Sequence, residues 1–397
     1  MKTTHELKTH GYRAVGLLLI LAVLTPGVAA ETPSSRLVAV GDIHGDYEAL
    51  VAILQEARLI DSEKRWTAGN AVLVQTGDLL DRGPQVREIM DLLMALEDEA
   101  EEQGGRVVVL LGNHEMMNLM GDWRDVSAEA YLGFANQDSE QRRLDAYQDH
   151  TALLKRRSTI LETPLDISAE SKGQWFEAHP LGFFEYHQAL GPKGHYGRWL
   201  RERPATARIA NSVFLHGGIH PELGAWKLEE INQRIRREIE AMDVYKKQMV
   251  QQKLILPFSN LQEIVATAQA ELRRLQGAGT TNEDQEVIQV LEGFLQFGNW
   301  LSVHPDGPLW FRGFAQWSEQ EGREHLTSLL ESFQVRRFVV GHTPQLSRGI
   351  QARFDGGVFL IDTGMLSSFY RGGKASALQI QDGQVTAIYR GSRQPLP

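Results

Sequence analysis

The sequence has 397 residues, 42% of them hydrophobic and 23% charged, the composition of a globular protein with room for one large domain or two ordinary ones. A formal charge of -10 and a pI near 5.8 argue against nucleic acid as a partner, because a phosphate-backbone binder normally carries a basic stripe. The absence of cysteine excludes disulfides and thiolate chemistry, so any metal would be held by His, Asp, Glu or Asn, donors suited to Mn, Fe or Zn.

The first thirty residues differ from the rest. Lys2, Lys8 and Arg13 precede the apolar run VGLLLILAVL (15–24), and TPGVAA follows. A basic start, a short apolar segment and small residues at Val28 and Ala30 form the pattern of a secretory signal cleaved after Ala30. The run falls short of the about 20 apolar residues that a spanning helix needs, with an uncleaved anchor as the alternative. Residues 1–30 are therefore read as a signal peptide and 31–397 as one domain. The mature chain is expected to start near Glu31, in the periplasm or beyond, with no stable membrane association after cleavage.

Short β-rich runs then alternate with helical patterns. LVAV (37–40) leads into GDIHGD, and YEALVAILQEA (47–57) follows as a helix, with Asp46 placed to cap it. AVLVQTGD (71–78) is the next strand. VREIMDLLMALEDEAEEQ (86–103) is the next helix, stopped by Gly104 and Gly105. RVVVLLGNHE (106–115) is a third strand running into a loop. This rhythm predicts a partly parallel, buried sheet with helices on its faces. Further strands are expected at SVFLHGG (212–218), RRFVVGHTP (336–344), VFLIDTG (358–364) and SALQIQ (376–381), the last two with the look of edge strands closing a sheet. Two long segments, 122–208 and 222–305, interrupt the series. The second contains charged amphipathic helical patterns, which read as solvated faces and carry no catalytic weight.

Five of the apolar runs end in metal-competent residues flanked by glycine. They are GDIHG (Asp42, His44), GDLLDRG (Asp78, Asp81, Arg82), GNHE (Asn113, His114), HGG (His216) and GHTP (His342). Each has an ordinary explanation alone: Asp42 or GNHE as a helix cap, His216 or His342 as a structural histidine. Together they form a pattern, because ligands of an open α/β sheet gather beyond the carboxyl ends of its strands. Glycine beside each residue permits sharp turns and close approach.

On these motifs the chain resembles the calcineurin-like metallophosphoesterases, and GDIHG, GDLLDRG and GNHE resemble their phosphoprotein-phosphatase branch. WLRERPATARIANSVFLHGGIHPE, GPLWFRGF, VVGHTP and IDTGMLSSFYRGGKASALQI are similar to the bacterial-type Shewanella-like protein phosphatases. The resemblance covers most of residues 36–390, with no shared motif in 125–195 or 225–300. It implies an α/β fold, a β-sandwich of mixed sheets with flanking helices, here carrying long helical insertions. It also implies two divalent ions, Mn favoured with Fe or Zn as alternatives. One ion would take Asp42, His44 and Asp78; the other would take Asp78, Asn113, His216 and His342. Much of the superfamily has GHxH where this chain has Pro344, which leaves the first ion with three protein ligands.

The chemistry expected of such a centre is hydrolysis of a phosphomonoester by direct attack of a metal-bridging hydroxide. Arg82 would grip phosphate through its planar fork, and Arg312 is a second clamp by resemblance. His114 would act as general acid, oriented and charged by Asp81. Glu115 stays undecided between function and accepting a backbone hydrogen bond. Asp362 and Tyr370 could line the pocket, with a structural role the simpler reading. The expected substrate is a phosphoprotein, with phosphotyrosine preferred. Alternatives are a nucleotide or dinucleoside-polyphosphate hydrolase and, in another class, a non-catalytic binding module. Oligomeric state is left open.

Overall fold

The computed structural model describes residues 36–161, 167–277, 281–346 and 348–397, and the signal peptide read in residues 1–30 lies outside them. β1 (Arg36–Val40), β2 (Val72–Gln75) and β3 (Arg106–Val109) run parallel, linked by α1 (Tyr47–Glu56) and α2 (Val86–Glu102). Asp46 caps α1, accepting the Ala49 N–H at 3.0 Å. Along β1 the side chains alternate: Val38 and Val40 pack toward the helices, Leu37 and Ala39 toward a second sheet. Both faces are buried, so the strand sequences are unbroken apolar runs. GNHE is not a loop: Asn113 opens α3 (Asn113–Met120).

The second sheet contains β4 (Thr206–Ile209), β5 (Ser212–Leu215), β6 (Arg337–Val340), β7 (Gln351–Arg353) and β8 (Val358–Leu360), in the order β4-β5-β6-β8-β7. Its three central strands are parallel and its edges antiparallel. β9 (Ser376–Gln381), β10 (Gln384–Tyr389) and β11 (Ser392–Leu396) extend the first sheet to the order β11-β10-β9-β1-β2-β3. Against the expectation from sequence, the 358–364 and 376–381 runs are not edge strands. β8 lies between β6 and β7, β9 lies between β1 and β10, and the two belong to different sheets. The reason is local. Asp382 (φ 50°) and Gly383 (φ 82°) make a tight two-residue turn that returns the chain as β10, which covers the outer side of β9. Between the sheets Phe214 and Phe359 are fully buried against residues such as Leu37, Val74 and Leu378, each worth about 2 kcal/mol of burial.

The interrupting segments are helical. The first holds α4 (Ala128–Leu132), α5 (Ser139–Leu161), α6 (Ala169–Ala178), α7 (Phe183–Leu190) and α8 (His195–Arg201). The second holds α9 (Leu228–Gln251), α10 (Leu261–Gly277) and α11 (Asn282–Leu295); α12 (Gly313–Gln316) and α13 (Glu319–Phe333) then lead to β6. α9 presents a solvated face but also buries Ile231, Ile235, Ile239 and Met242, one stripe at helical spacing, and it contacts α3 and β4. Among the described residues no helix is long and apolar enough to cross a membrane.

Candidate active site

The segments that leave β1, β2, β3, β5 and β6 meet in one crevice, and every ligand expected from the sequence is in it. Asp78 is central. Its Oδ2 lies 3.2 Å from His216 Nε2 and 3.5 Å from His44 Nε2, while its Oδ1 accepts the His114 N–H at 3.0 Å. His216 Nε2 is in turn 2.9 Å from Asn113 Oδ1 and 3.1 Å from His342 Nδ1. Both oxygens of Asp42 accept the His342 backbone N–H, at 3.1 and 3.2 Å. Gly112 is needed for this closeness, since a Cβ there would meet Asp78 Oδ1 at 2.2 Å.

The outer hydrogen bonds decide which ring nitrogens face inward. His44 Nδ1 meets the Leu80 carbonyl at 2.9 Å, His216 Nδ1 the Thr76 carbonyl at 2.9 Å, and His342 Nε2 the Trp310 carbonyl at 3.0 Å. A carbonyl only accepts, so each of these nitrogens carries the proton, and in the neutral imidazole the other nitrogen is a bare lone pair. Burial keeps His44 and His342 neutral, with pKa values lowered to about 3 and about 2. Burial would raise Asp78, but the positive charge of His114 beside it helps hold it well below the usual carboxylate range. The crevice thus sets imidazole lone pairs, an amide oxygen and a carboxylate against one another. Acceptors aimed at acceptors in a buried site are at ease only around cations, and imidazoles steadied by outer carbonyls are the usual form of a metal ligand. The donor set fits divalent metal.

His114 is built differently. Its Nδ1 is 2.6 Å from Asp81 Oδ2, and Asp81 Oδ1 accepts from Asn118 Nδ2 at 2.8 Å. Tyr186 of α7 then donates to Asn118 Oδ1 at 2.7 Å, so the first inserted segment braces the pair. Burial alone would lower the His114 pKa, yet Asp78 and Asp81 outweigh it and raise it to about 9. Arg82 lies against the same ring: one guanidinium nitrogen is 2.9 Å from His114 Nε2, and the other contacts His44 Nε2 and the Tyr370 hydroxyl. Arg312 is fixed beside the second cluster, donating to the His342 carbonyl at 2.9 Å and to Thr343 Oγ1 at 3.1 Å.

This arrangement is strained. His44, Asp78, Asp81, Arg82 and His342 all have φ between 48° and 69°, the left-handed region that costs an ordinary residue roughly 1–2 kcal/mol. Glu115 is the clamp that holds it. Fully buried, it accepts the N–H groups of Asp78, Leu79, Leu80 and Gly112 at 2.7–3.1 Å. Glu115→Ala would leave four buried donors without a partner and is expected to destabilise the metal-free protein by at least about 3 kcal/mol. Urea unfolding measures it, and a loss under about 1 kcal/mol would deny Glu115 this role.

Sequence reasoning missed several partners. Asn118 carried a signal, four residues after His114 on one helix. Tyr186, in an inserted helix, carried none. Tyr370 does more than pack, contacting Arg82 with its ring 6.1 Å from that of His44.

Residues 35–346 match the family model described as calcineurin-like phosphoesterase. An uncharacterised protein of Schizosaccharomyces pombe is 31% identical over 89% of this chain and 80% of its own length. Shewanella-like protein phosphatase 1 of Plasmodium berghei is 26% identical over 89% of this chain and 74% of its own. The crystal structure of a cold-active protein-tyrosine phosphatase of a psychrophile Shewanella species superposes with a TM-score of 0.56 and 23% identity, over 91% of this chain and 80% of that one, a likeness of fold. Fold, site and family model agree: the chain belongs to the calcineurin-like phosphoesterases and is a metal-dependent phosphoesterase.

Proposed function

We propose that the chain hydrolyses phosphomonoesters on proteins with two divalent ions, one held by Asp42, His44 and Asp78, the other by Asp78, Asn113, His216 and His342. When bound, the ions would supply Lewis acidity toward phosphoryl oxygens and would make a bound water more acidic. The chain's own residues do the rest. Arg82 and Arg312 bind and orient the phosphate. His114 Nε2 delivers a proton to the leaving oxygen, and Asp81 holds the ring and stabilises its charge.

One observation carries this reading. Beside the acceptors that face acceptors, an imidazole able to carry both protons and a guanidinium bring two donor nitrogens within 2.9 Å of each other. The first grouping asks for cations, the second for an anionic oxygen, and a phosphate bound to metal is both answers at once. A cleft of about 850 Å³ opens beside Arg312, lined by Met116, Met117, Trp310 and Phe311, which is room for more than a phosphate. The protein-phosphatase relatives support a phosphoprotein substrate, and phosphotyrosine is our choice among the phosphoresidues.

Mn-loaded full-length protein is expected to release phosphate from a phosphotyrosine peptide. EDTA should cut the rate at least about 10²-fold, with recovery on adding Mn. Full activity without metal would overturn the proposal. A higher kcat/KM on a dinucleoside tetraphosphate than on the peptide would move the substrate to nucleotides. We further propose Mn as the resident metal and export through the signal in residues 1–30. Elemental analysis and N-terminal sequencing of the exported protein test these two points.

A further inference from the structure

The crevice holds one more buried carboxylate than the ligand set and the proton transfer use. Asp362 leaves β8, and β8 ends against the end of β1 in the facing sheet: a Cβ on Gly41 would meet the Ile361 carbonyl oxygen at 2.6 Å and the Asp362 nitrogen at 3.1 Å. Backbone contact there brings the carboxyl groups of Asp42 and Asp362 within reach of one another, and Asp362 also feels Asp78 and His216. Asp362 is 1% exposed. Its Oδ1 accepts the Gly364 N–H at 2.9 Å, a bond that an amide oxygen would make equally well. Its Oδ2 is enclosed and receives no hydrogen bond from any N–H or hydroxyl donor, the group within its reach being the Asp42 carboxyl.

An acid buried beside another acid, with one oxygen unserved, is costly to the fold unless positive charge or a donor arrives. The neighbour it faces is Asp42, expected on the ion with three protein ligands, where the second ion has four. We infer that Asp362 is an outer carboxylate of the first metal site, its Oδ2 accepting a hydrogen bond from a water of the ion held by Asp42, His44 and Asp78. Such partners orient the inner ligands and raise affinity, and their loss typically costs about 10–100-fold in metal binding. Asp362 is in these terms a positioning residue.

The inference rests on the two-metal reading of the site. The full-length chain, stripped of metal, is titrated with Mn alone by calorimetry, and its melting temperature is measured with and without Mn. Wild type should take up two ions. Asp362→Asn should bind one ion as wild type does and the other about 10–100-fold more weakly. Its metal-free form should melt at or above wild type, because one of two facing acids is gone, and its Mn-saturated form below. Asp362→Glu, which keeps the charge, should recover part of the affinity. Two ions bound by Asp362→Asn with wild-type affinities would overturn the inference and leave the two-metal reading intact, and wild type binding no Mn would overturn both. A metal-free Asp362→Asn that melts well below wild type, or does not fold, would make the residue structural and also overturn the inference.

Discussion

Asp78→Asn is expected to lower kcat by roughly 10³-fold or more, the several kcal/mol that metal assistance supplies, and to reduce bound metal below one ion per chain. The effect is electrostatic. Asp78 is the anion shared by both clusters, with Oδ2 between His44 and His216 at 3.5 and 3.2 Å. An amide keeps the shape and the Oδ1 acceptor for the His114 N–H, but it removes the charge and turns a donor toward lone pairs that are meant for a cation. The substitution should spare the fold. Asn tolerates the left-handed backbone as well as Asp does, and Asp78 is anchored through its backbone N–H to Glu115 at 2.7 Å, a bond the variant keeps. Steady-state hydrolysis of p-nitrophenyl phosphate and metal content per chain are the measurements. Near-normal activity with two ions bound would remove Asp78 from the centre of the site.

The parts of this site legible in the sequence are those whose chemistry is local. Strands buried on both faces had to be written as apolar runs, and the carboxylates and imidazoles that follow them sit within a few residues of each strand end, so Asp42, His44, Asp78, Asn113, His216 and His342 could be named before any fold was seen. Their supports could not. His44, His216 and His342 are oriented by the carbonyls of Leu80, Thr76 and Trp310, and a backbone carbonyl leaves no mark in a sequence. Tyr186 reaches the His114 pair from an inserted helix whose apolar residues look like any core stripe. β7 and β11 were hidden because their residues are half-buried or exposed and mostly polar. The Asp382–Gly383 turn was readable as a hairpin signal, and reading it would have moved β9 from the edge of its sheet to the interior.

His114, the proposed proton donor, gives the second large effect, and its signature is the dependence on leaving group. His114→Asn is expected to slow hydrolysis of a phosphotyrosine peptide by about 10²–10⁴-fold, the range for removing a general acid. The loss should be much smaller on p-nitrophenyl phosphate, whose far more acidic phenol departs with little help. Metal content should remain at the wild-type level, which separates this variant from Asp78→Asn, because the His114 ring is held by Asp81 at 2.6 Å and lies outside the proposed ligand sets. Asp81→Asn should give a smaller loss with the same dependence on leaving group, since it removes the charge that helps raise the His114 pKa to about 9. Asp81 acts through His114, so the double variant should be no slower than His114→Asn alone. Equal losses on the two substrates, or additive losses in the double variant, would mean that the imidazole binds phosphate without donating a proton, and that Asp81 has work of its own.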